Sequence, residues 1–364
     1  MKKIGIDARL YSQTGVGTYL KNLLYYLEKN SPKGILFYIY LTEKDFNKVT
    51  FNKKNFIKRK ANYSWHSFGE QIGFCRLLYR DNLDLIHFTY FSYPVLYWKK
   101  FIATVHDVTP LLFKTGKAST KNQFVYKIKH LLFKFVLTCQ IKRAAKIITP
   151  TNFVKEQLIN IYGQKILPKV QSIYEGINYQ LVNTKEAGDL SKRFSNFFIY
   201  VGNFYPHKNV EKLIEAFAKI NSETKLVLIG PKDYFQSRIV RSINRLDMKD
   251  KIVFYNNPSY AELIFFYKNA KALIHPSKSE GFGLSLIEAA YFDCPVIASD
   301  IKVFKELLGD SYLSFDPNNV DDIAEKINAF IEKKLEFDYK NILKKYSFEK
   351  MTAETVKIYL SEII

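Results

Sequence analysis

Between residues 275 and 288 the chain reads His-Pro-Ser-Lys-Ser-Glu-Gly-Phe-Gly-Leu-Ser-Leu-Ile-Glu, so two carboxylates, Glu280 and Glu288, bracket a Gly-Phe-Gly turn. An apolar run, Ala272-Leu273-Ile274, leads into the turn and a helical pattern leaves it. Gly281 and Gly283 let a ligand approach the backbone. A helix starting there offers unpaired N–H groups and the positive end of its dipole to an anion. Glu280 stands at the mouth of this turn, and Glu288 about a turn and a half inside the helix. Acceptor side chains on both sides of an N–H cluster suit a ligand with hydroxyls as well as phosphate, which describes a nucleotide sugar. A capped helix with two solvated glutamates is the plain alternative. The Gly-Phe-Gly between the carboxylates and the Ala289-Ala290 after them favour the site.

Three further places carry chemistry-bearing types. Thr14-Gly15-Val16-Gly17-Thr18-Tyr19 opens a helix shortly after the first apolar strand. Gly15 and Gly17 lie too far past that strand, and lack the third glycine, for a dinucleotide fingerprint, but the turn can hold phosphate. His106-Asp107 ends the apolar run Phe101–Val105, where a lone histidine is ordinarily a packed, hydrogen-bonded residue and Asp107 orients loop backbone. The loop Gly202-Asn203-Phe204-Tyr205-Pro206-His207-Lys208-Asn209 presents Lys208 beside a strand end. No Asp-x-Asp, metal-spaced cluster, P-loop or nucleophile–base–orienter motif is present, so neither metal nor cofactor is expected.

The elements that must position these residues alternate strand and helix, the pattern of parallel sheets covered by helices. Strands are expected at 3–7, 35–41, 84–88, 102–106, 146–149 and 170–174, with helices at 17–29, 120–145 and 152–162. After the polar stretch 183–193 the alternation resumes, with strands at 197–202, 225–230, 252–255, 271–275, 295–299 and 312–315. Helices near 209–221, 234–246, 259–268, 284–292 and 320–334 lie between them. Two doubly wound α/β domains result: 1–182, a linker over 183–196, and 197–346, with ligands at the carboxyl ends of the strands.

The charge is lopsided. Residues 1–185 carry 30 Lys and Arg against 10 Asp and Glu, whereas 186–364 carry 25 of each, so the first half holds the whole net +20. Residues 108–155 have no acidic side chain. They include Lys121, Lys127, Lys129, Lys134, Lys142 and Arg143 among Phe124, Tyr126, Phe133 and Phe135. Such a segment suits an anionic membrane surface, at about 1 kcal/mol per cation. Nucleic acid ranks below it because no nucleic-acid motif accompanies the charge, and a lysine-rich solvated face is the bland reading. No apolar run reaches the length of a bilayer span and no signal peptide is evident. Three scattered cysteines, 75, 139 and 294, favour a reducing cytoplasm.

The stretch from Pro276-Ser277 to Pro295-Val296-Ile297-Ala298-Ser299 resembles the signature of glycosyltransferase family 4, retaining enzymes of the GT-B fold. The resemblance extends to Thr104–Pro110, Glu175-Gly176-Ile177-Asn178, Val201–Asn209 and the tail from Tyr346. It implies two Rossmann-like domains facing across a cleft, with a last helix (347–364) returning to the N-terminal, acceptor domain. It gives His106 and Glu280 to the transferred sugar as catalytic residues. It gives Glu288 to the ribose, and Gly15, Gly17, Asn203, Lys208, Gly281, Phe282, Gly283 and Leu284 to the rest of the donor. His207 stands where the family carries arginine, which softens the phosphate side. The resemblance is closest to bacterial mannosyl- and rhamnosyltransferase-like members that build O-antigen or capsule. It thus implies a nucleotide-sugar donor, GDP-mannose-like, and a glycan or lipid-linked acceptor. The expected place is the cytoplasm, peripheral on the inner face of the plasma membrane. A catalytically silent carbohydrate- or nucleotide-binding protein on the same fold is the rival from another class.

Overall fold

In the computed structural model, residues 1–112, 123–186, 190–333 and 335–363 are described, with backbone only for 110, 112 and 123–129. The chain forms two compact units, Met1–Glu175 with Ser347–Ile364, and Gly176–Tyr346.

The first unit is built on a seven-stranded sheet of β1 (Lys2–Asp7), β2 (Ile35–Leu41), β3 (Phe56–Lys60), β4 (Leu85–Phe88), β5 (Phe101–Thr104), β6 (Lys146–Thr149) and β7 (Val170–Ser172). Their order is β3-β2-β1-β4-β5-β6-β7 and every pairing is parallel. Helices cover both faces, so the central strands are nearly continuous apolar runs; Ile4, Ile6, Phe37, Ile39, Ile86, Phe88 and Ile102 are all fully buried. The helix Val16–Lys29 buries Tyr19, Leu20, Leu23, Leu24 and Leu27, the stripe a 3.6-residue period places on one side. Against it lies the chain's last helix, Phe348–Ile363. A buried polar chain ties that helix to the sheet. His87 Nδ1 meets Tyr359 Oη at 2.7 Å and His87 Nε2 meets Thr104 Oγ1 at 2.7 Å. Burial and nearby His106 lower the His87 imidazole to about 3.

The second unit carries a six-stranded sheet of β8 (Phe197–Val201), β9 (Lys225–Gly230), β10 (Ile252–Asn256), β11 (Leu273–His275), β12 (Val296–Ser299) and β13 (Leu313–Phe315), ordered β10-β9-β8-β11-β12-β13 and again parallel throughout. Its core joins Phe198, Tyr200, Leu226 and Leu228 of the strands to Leu213, Ile214 and Phe217 of the helix Val210–Ala218 and Ile323 and Ile327 of the helix Val320–Lys333. The helix Tyr260–Asn269 starts in a capping box between Ser259 and Glu262.

The two compact units meet at Glu175–Gly176, and the short helix Tyr179–Asn183, which buries Leu181, packs on the helix Tyr260–Asn269. One strand, β3, was not anticipated. It is an edge strand of sequence Phe-Ile-Lys-Arg-Lys, and its charges are what an edge exposes. Lys58 bonds the carbonyls of Phe46 and Val49, and Arg59 pairs with Asp81 at 3.2 Å.

Candidate active site

In the second unit the signature segment folds as its residue types require. β11 ends at His275, and the turn delivers Gly283 in the left-handed region at φ 103°, ψ 55°, as N-cap of the helix Leu284–Tyr291. A Cβ on Gly283 would stand 3.1 Å from the Phe304 ring. No side chain caps this helix; in its first turn the Leu286 N–H donates to the Gly283 carbonyl at 3.0 Å, and Leu284 and Ser285 stand at the positive end of the helix. Gly281 is buried and Leu284 half-buried. The Phe282 ring turns inward, buried and edge-on to Tyr346 at 5.7 Å, which leaves its backbone as the part the turn presents, the role the resemblance implies for residues 281–284.

The loop after β8 meets this turn. Lys278 N–H donates to the His207 carbonyl at 2.8 Å, which binds the turn Pro206–Lys208 to the signature segment. Lys208 Nζ reaches Glu280 Oε1 at 2.5 Å, and both side chains are largely enclosed, at 15% and 11% exposure. Burial pushes the Glu280 carboxyl up, but Lys208, with help from His275 at 3.7 Å, pulls it down to about 2, so it is ionised throughout the working range. The lysine and carboxylate assigned separately from sequence are thus one ion pair. Around it, among the described residues, His207 Nδ1, His275 Nδ1 and Ser277 Oγ are buried without a hydrogen-bond partner. Such atoms cost about 1–3 kcal/mol each unless something satisfies them. Burial, and then Lys208, hold His207 down at about 4; burial lowers His275 to about 4 as well. Asn203 braces the loop: its carbonyl accepts from Tyr200 Oη, and its Oδ1 accepts from Tyr205 N–H at 3.4 Å.

Glu288 has the opposite electrostatics. It is buried on the inner side of the helix, with no cation among its hydrogen-bond partners, and accepts from Tyr267 Oη at 2.8 Å. Burial raises its carboxyl to about 7 against the opposing Tyr267 bond. Tyr260, hydrogen-bonded to Asn178, lies within its electrostatic reach. One carboxylate held ionised by a lysine and another held near neutrality by burial can serve different parts of one ligand.

In the first unit Gly15 has φ 61° and caps the helix Val16–Lys29, with open space where a Cβ would stand. Gly17 is a packing glycine. A Cβ there would lie 2.7 Å from the Tyr11 carbonyl oxygen, so its lack of a side chain answers to the loop above it. His106 follows β5. Its Nδ1 meets Glu175 Oε1 at 3.2 Å, its Nε2 meets the Thr89 carbonyl at 3.1 Å, and Tyr19 packs edge-on at 4.7 Å. Glu175 was not anticipated as its partner.

Of the basic surface, Lys134 and Lys142 are exposed on the helix Gln123–Arg143. Arg143 is not a free surface cation: it clamps the carbonyls of Val95 and Tyr97 at 2.5 and 2.7 Å and lies 3.9 Å over the Trp98 ring. Lys121 and the side chains of Lys127 and Lys129 lie outside the described residues. Sequence reasoning also passed over Tyr267, and over His275 and Ser277, although these two sit inside the motif itself.

Comparison with known proteins follows the same two halves. Residues 14–181 match the family model described as Glycosyltransferase Family 4, and residues 182–350 the one described as Glycosyl transferases group 1. The chain is 28% identical over 289 residues, 76% of its own length and 76% of the relative's, to the O-antigen chain mannosyltransferase RfbU of Salmonella typhimurium. Among solved structures it resembles sucrose-phosphate synthase from Thermosynechococcus elongatus, with TM-score 0.78, 18% identity and 99% of both chains covered. It also resembles Alr3699/HepE of Anabaena, solved in complex with UDP and glucose, with TM-score 0.76, 14% identity and 99% and 100% covered. The fold shared with these structures is GT-B, with two parallel-sheet, Rossmann-like units.

Proposed function

We propose, since this chain belongs to glycosyltransferase family 4 and is a glycosyltransferase, that it moves a hexosyl group from a nucleotide-diphosphate sugar to a glycan or lipid-linked glycan of a bacterial surface polysaccharide. One observation carries this reading. The Lys208–Glu280 pair, three unpartnered polar atoms and an uncapped helix start converge on one corner of the second unit, with Glu288 deeper on the same helix. The helix start and Lys208 suit a diphosphate, Glu280 a sugar hydroxyl, and Glu288 the two hydroxyls of a ribose. Likeness to an O-antigen mannosyltransferase supports GDP-mannose as donor and O-antigen or capsule as product.

Transfer proceeds with retention in this reading. The sugar C1–phosphate bond breaks, the acceptor oxygen attacks C1 from the same face, and its proton passes to the departing phosphate. Lys208 and the backbone N–H groups would stabilise the charge growing on that phosphate. No resident metal is needed, a reading supported by the lack of any Asp-x-Asp in the chain.

The acceptor is assigned to the first unit, peripheral on the inner face of the plasma membrane. Support comes from the exposed Leu131, Leu132 and Phe135 beside Lys134, and from the whole excess of positive charge lying in that half. Among the described residues no helix is long and apolar enough to cross a membrane.

The test is a thermal-shift panel of GDP-, UDP-, dTDP- and ADP-sugars against wild type and Glu288→Ala, with and without EDTA. A donor at 100 times its Kd adds about 2.7 kcal/mol of stability. GDP-mannose should stabilise wild type only, EDTA should change nothing, and product NMR should show the donor's anomeric configuration kept. No response to any donor would defeat the assignment.

A further inference from the structure

Where the strand order of the first sheet reverses, between β1 and β4, the loops at the carboxyl ends of the strands enclose a narrow notch lined by Asp7, Arg9, Trp65, Thr89, Tyr90 and Ser92. Parallel sheets take ligands at this point of the topology. The notch has about 10 Å³ of free room, enough for one group the size of a hydroxyl.

Its floor is a rigid, negatively charged network. Arg9 grips Asp7 with two hydrogen bonds, Nε to Oδ1 at 2.8 Å and Nη2 to Oδ2 at 2.6 Å, and Nη2 also meets Glu70 Oε1 at 2.7 Å. Arg9 Nη1 donates to the Tyr63 carbonyl at 3.0 Å, and the Phe74 ring lies 4.0 Å beneath the guanidinium. Glu70 is fully buried at the head of a π-helical turn, Glu70–Phe74, and accepts from Ser92 Oγ at 2.6 Å and His66 N–H at 2.9 Å. Two carboxylates therefore share one guanidinium, leaving one negative charge in excess. Burying such an excess is unfavourable unless it serves a purpose, and π-turns gather at functional sites. Asp7 is the carboxylate that faces the notch, with its orientation fixed from behind. At the mouth stands Trp65, 38% exposed. Thr89, in the wall, offers its carbonyl to His106 Nε2, so the notch and the histidine share a loop.

An indole and a fixed carboxylate lining the same notch are suited to a sugar ring: the aromatic face can receive the ring's C–H groups, and the carboxylate accepts an O–H in a charge-assisted hydrogen bond. Excess negative charge excludes a phosphate or a uronate from the same spot. We infer that this notch seats one hydroxyl of a neutral pyranose of the acceptor, with the ring lying on Trp65 and Asp7 as its hydroxyl ligand. The inference rests on the transferase reading above and names the acceptor's chemistry.

The experiment uses the full-length chain with octyl α-mannoside, α-galactoside, α-rhamnoside and N-acetylglucosaminide. Binding in the presence of GDP is followed by ligand-observed NMR, and transfer by mass spectrometry. For the pyranoside that binds, its monodeoxy analogues, one for each free hydroxyl, are compared. One analogue should bind at least 10-fold more weakly than the parent. Trp65→Ala should weaken the parent at least 10-fold while keeping the wild-type melting shift with nucleotide. Asp7→Asn should weaken the parent yet no longer discriminate against that one analogue. Because Asp7→Asn also disturbs Arg9, the Trp65 variant decides if it misfolds. Binding of no pyranoside, or wild-type affinity in Trp65→Ala, overturns the inference. Loss of the nucleotide shift in wild type would instead strike the donor site.

Discussion

Glu288 offers the sharpest test of the donor site, because the structure gives its charge state a specific dependence on pH. Burial lifts its carboxyl from 4.5 to about 7. In the free protein this raised value makes a contribution to stability that is complete below pH 4.5 and is lost as pH rises through 7. Ribose hydroxyls that donate to Glu288 need the ionised form, so a nucleotide must displace the proton. The apparent Kd then carries a factor of one plus ten to the power of 7 minus pH. That factor is about 11 at pH 6 and about 1.1 at pH 8, a tenfold tightening worth about 1.4 kcal/mol. His207, held at about 4, opposes this trend wherever bound diphosphate raises it, so the meaningful quantity is the difference between wild type and Glu288→Gln. Titration calorimetry with GDP in buffers of differing ionisation heat should show wild type releasing about 0.9 proton more than the variant at pH 6 and about 0.1 more at pH 8. Tyr267→Phe removes the bond that lowers the Glu288 carboxyl, and should move the midpoint upward. Identical proton release by wild type and Glu288→Gln would refute a Glu288–ribose contact.

Other expectations follow from the same geometry. Lys208→Met leaves the Glu280 carboxylate enclosed and unpaired and should cost about 3 kcal/mol in urea unfolding, most of it recovered in Lys208→Met/Glu280→Gln; transfer should fall at least 100-fold in both. His207→Arg supplies a permanent cation where burial keeps histidine neutral, and should tighten nucleotide binding several-fold at pH 7.5. Gly283→Ala forces a left-handed alanine against Phe304 and should lower stability by about 1–2 kcal/mol. His87, held at about 3, contributes stability that is lost as pH falls from 6.5 toward 3, at about 1.4 kcal/mol per pH unit; His87→Gln should flatten the acid limb of unfolding by one proton.

What the sequence made legible was local. Runs such as Phe197–Val201 and Lys225–Gly230 are apolar because helices cover both sheet faces, and their boundaries nearly coincide with the expected ones. The turn at 281–284 was legible because glycine spacing states its backbone geometry directly. β3 was missed because an edge strand keeps its charges and loses the apolar signal. The ion pair of Lys208 with Glu280 spans 72 positions and that of Arg9 with Glu70 spans 61, distances over which no periodicity speaks. The motif gave Phe282 a place in the backbone turn but not the packing of its ring on Tyr346, 64 positions further on. Arg143 misled through composition, since a basic run does not say which of its members fold back onto carbonyls.

The first unit combines two opposite electrostatic features, and their ranges explain how both can serve one acceptor. Most of the chain's positive excess lies in it, a field felt over roughly a Debye length, about 8 Å at physiological salt. The Asp7–Arg9–Glu70 network is buried and acts only on a group in contact with it. A lipid-linked glycan has the matching pair of ends: an anionic phosphate at the membrane and neutral sugar at its tip. Long-range attraction would bring the phosphate to the lysine face, and the contact-range carboxylate would select the sugar. High salt should therefore raise the KM of a lipid-phosphate-linked acceptor and leave that of a neutral octyl glycoside nearly unchanged, whereas Trp65→Ala should raise both. Equal salt sensitivity for the two acceptors would show that the surface charge plays no part in capture.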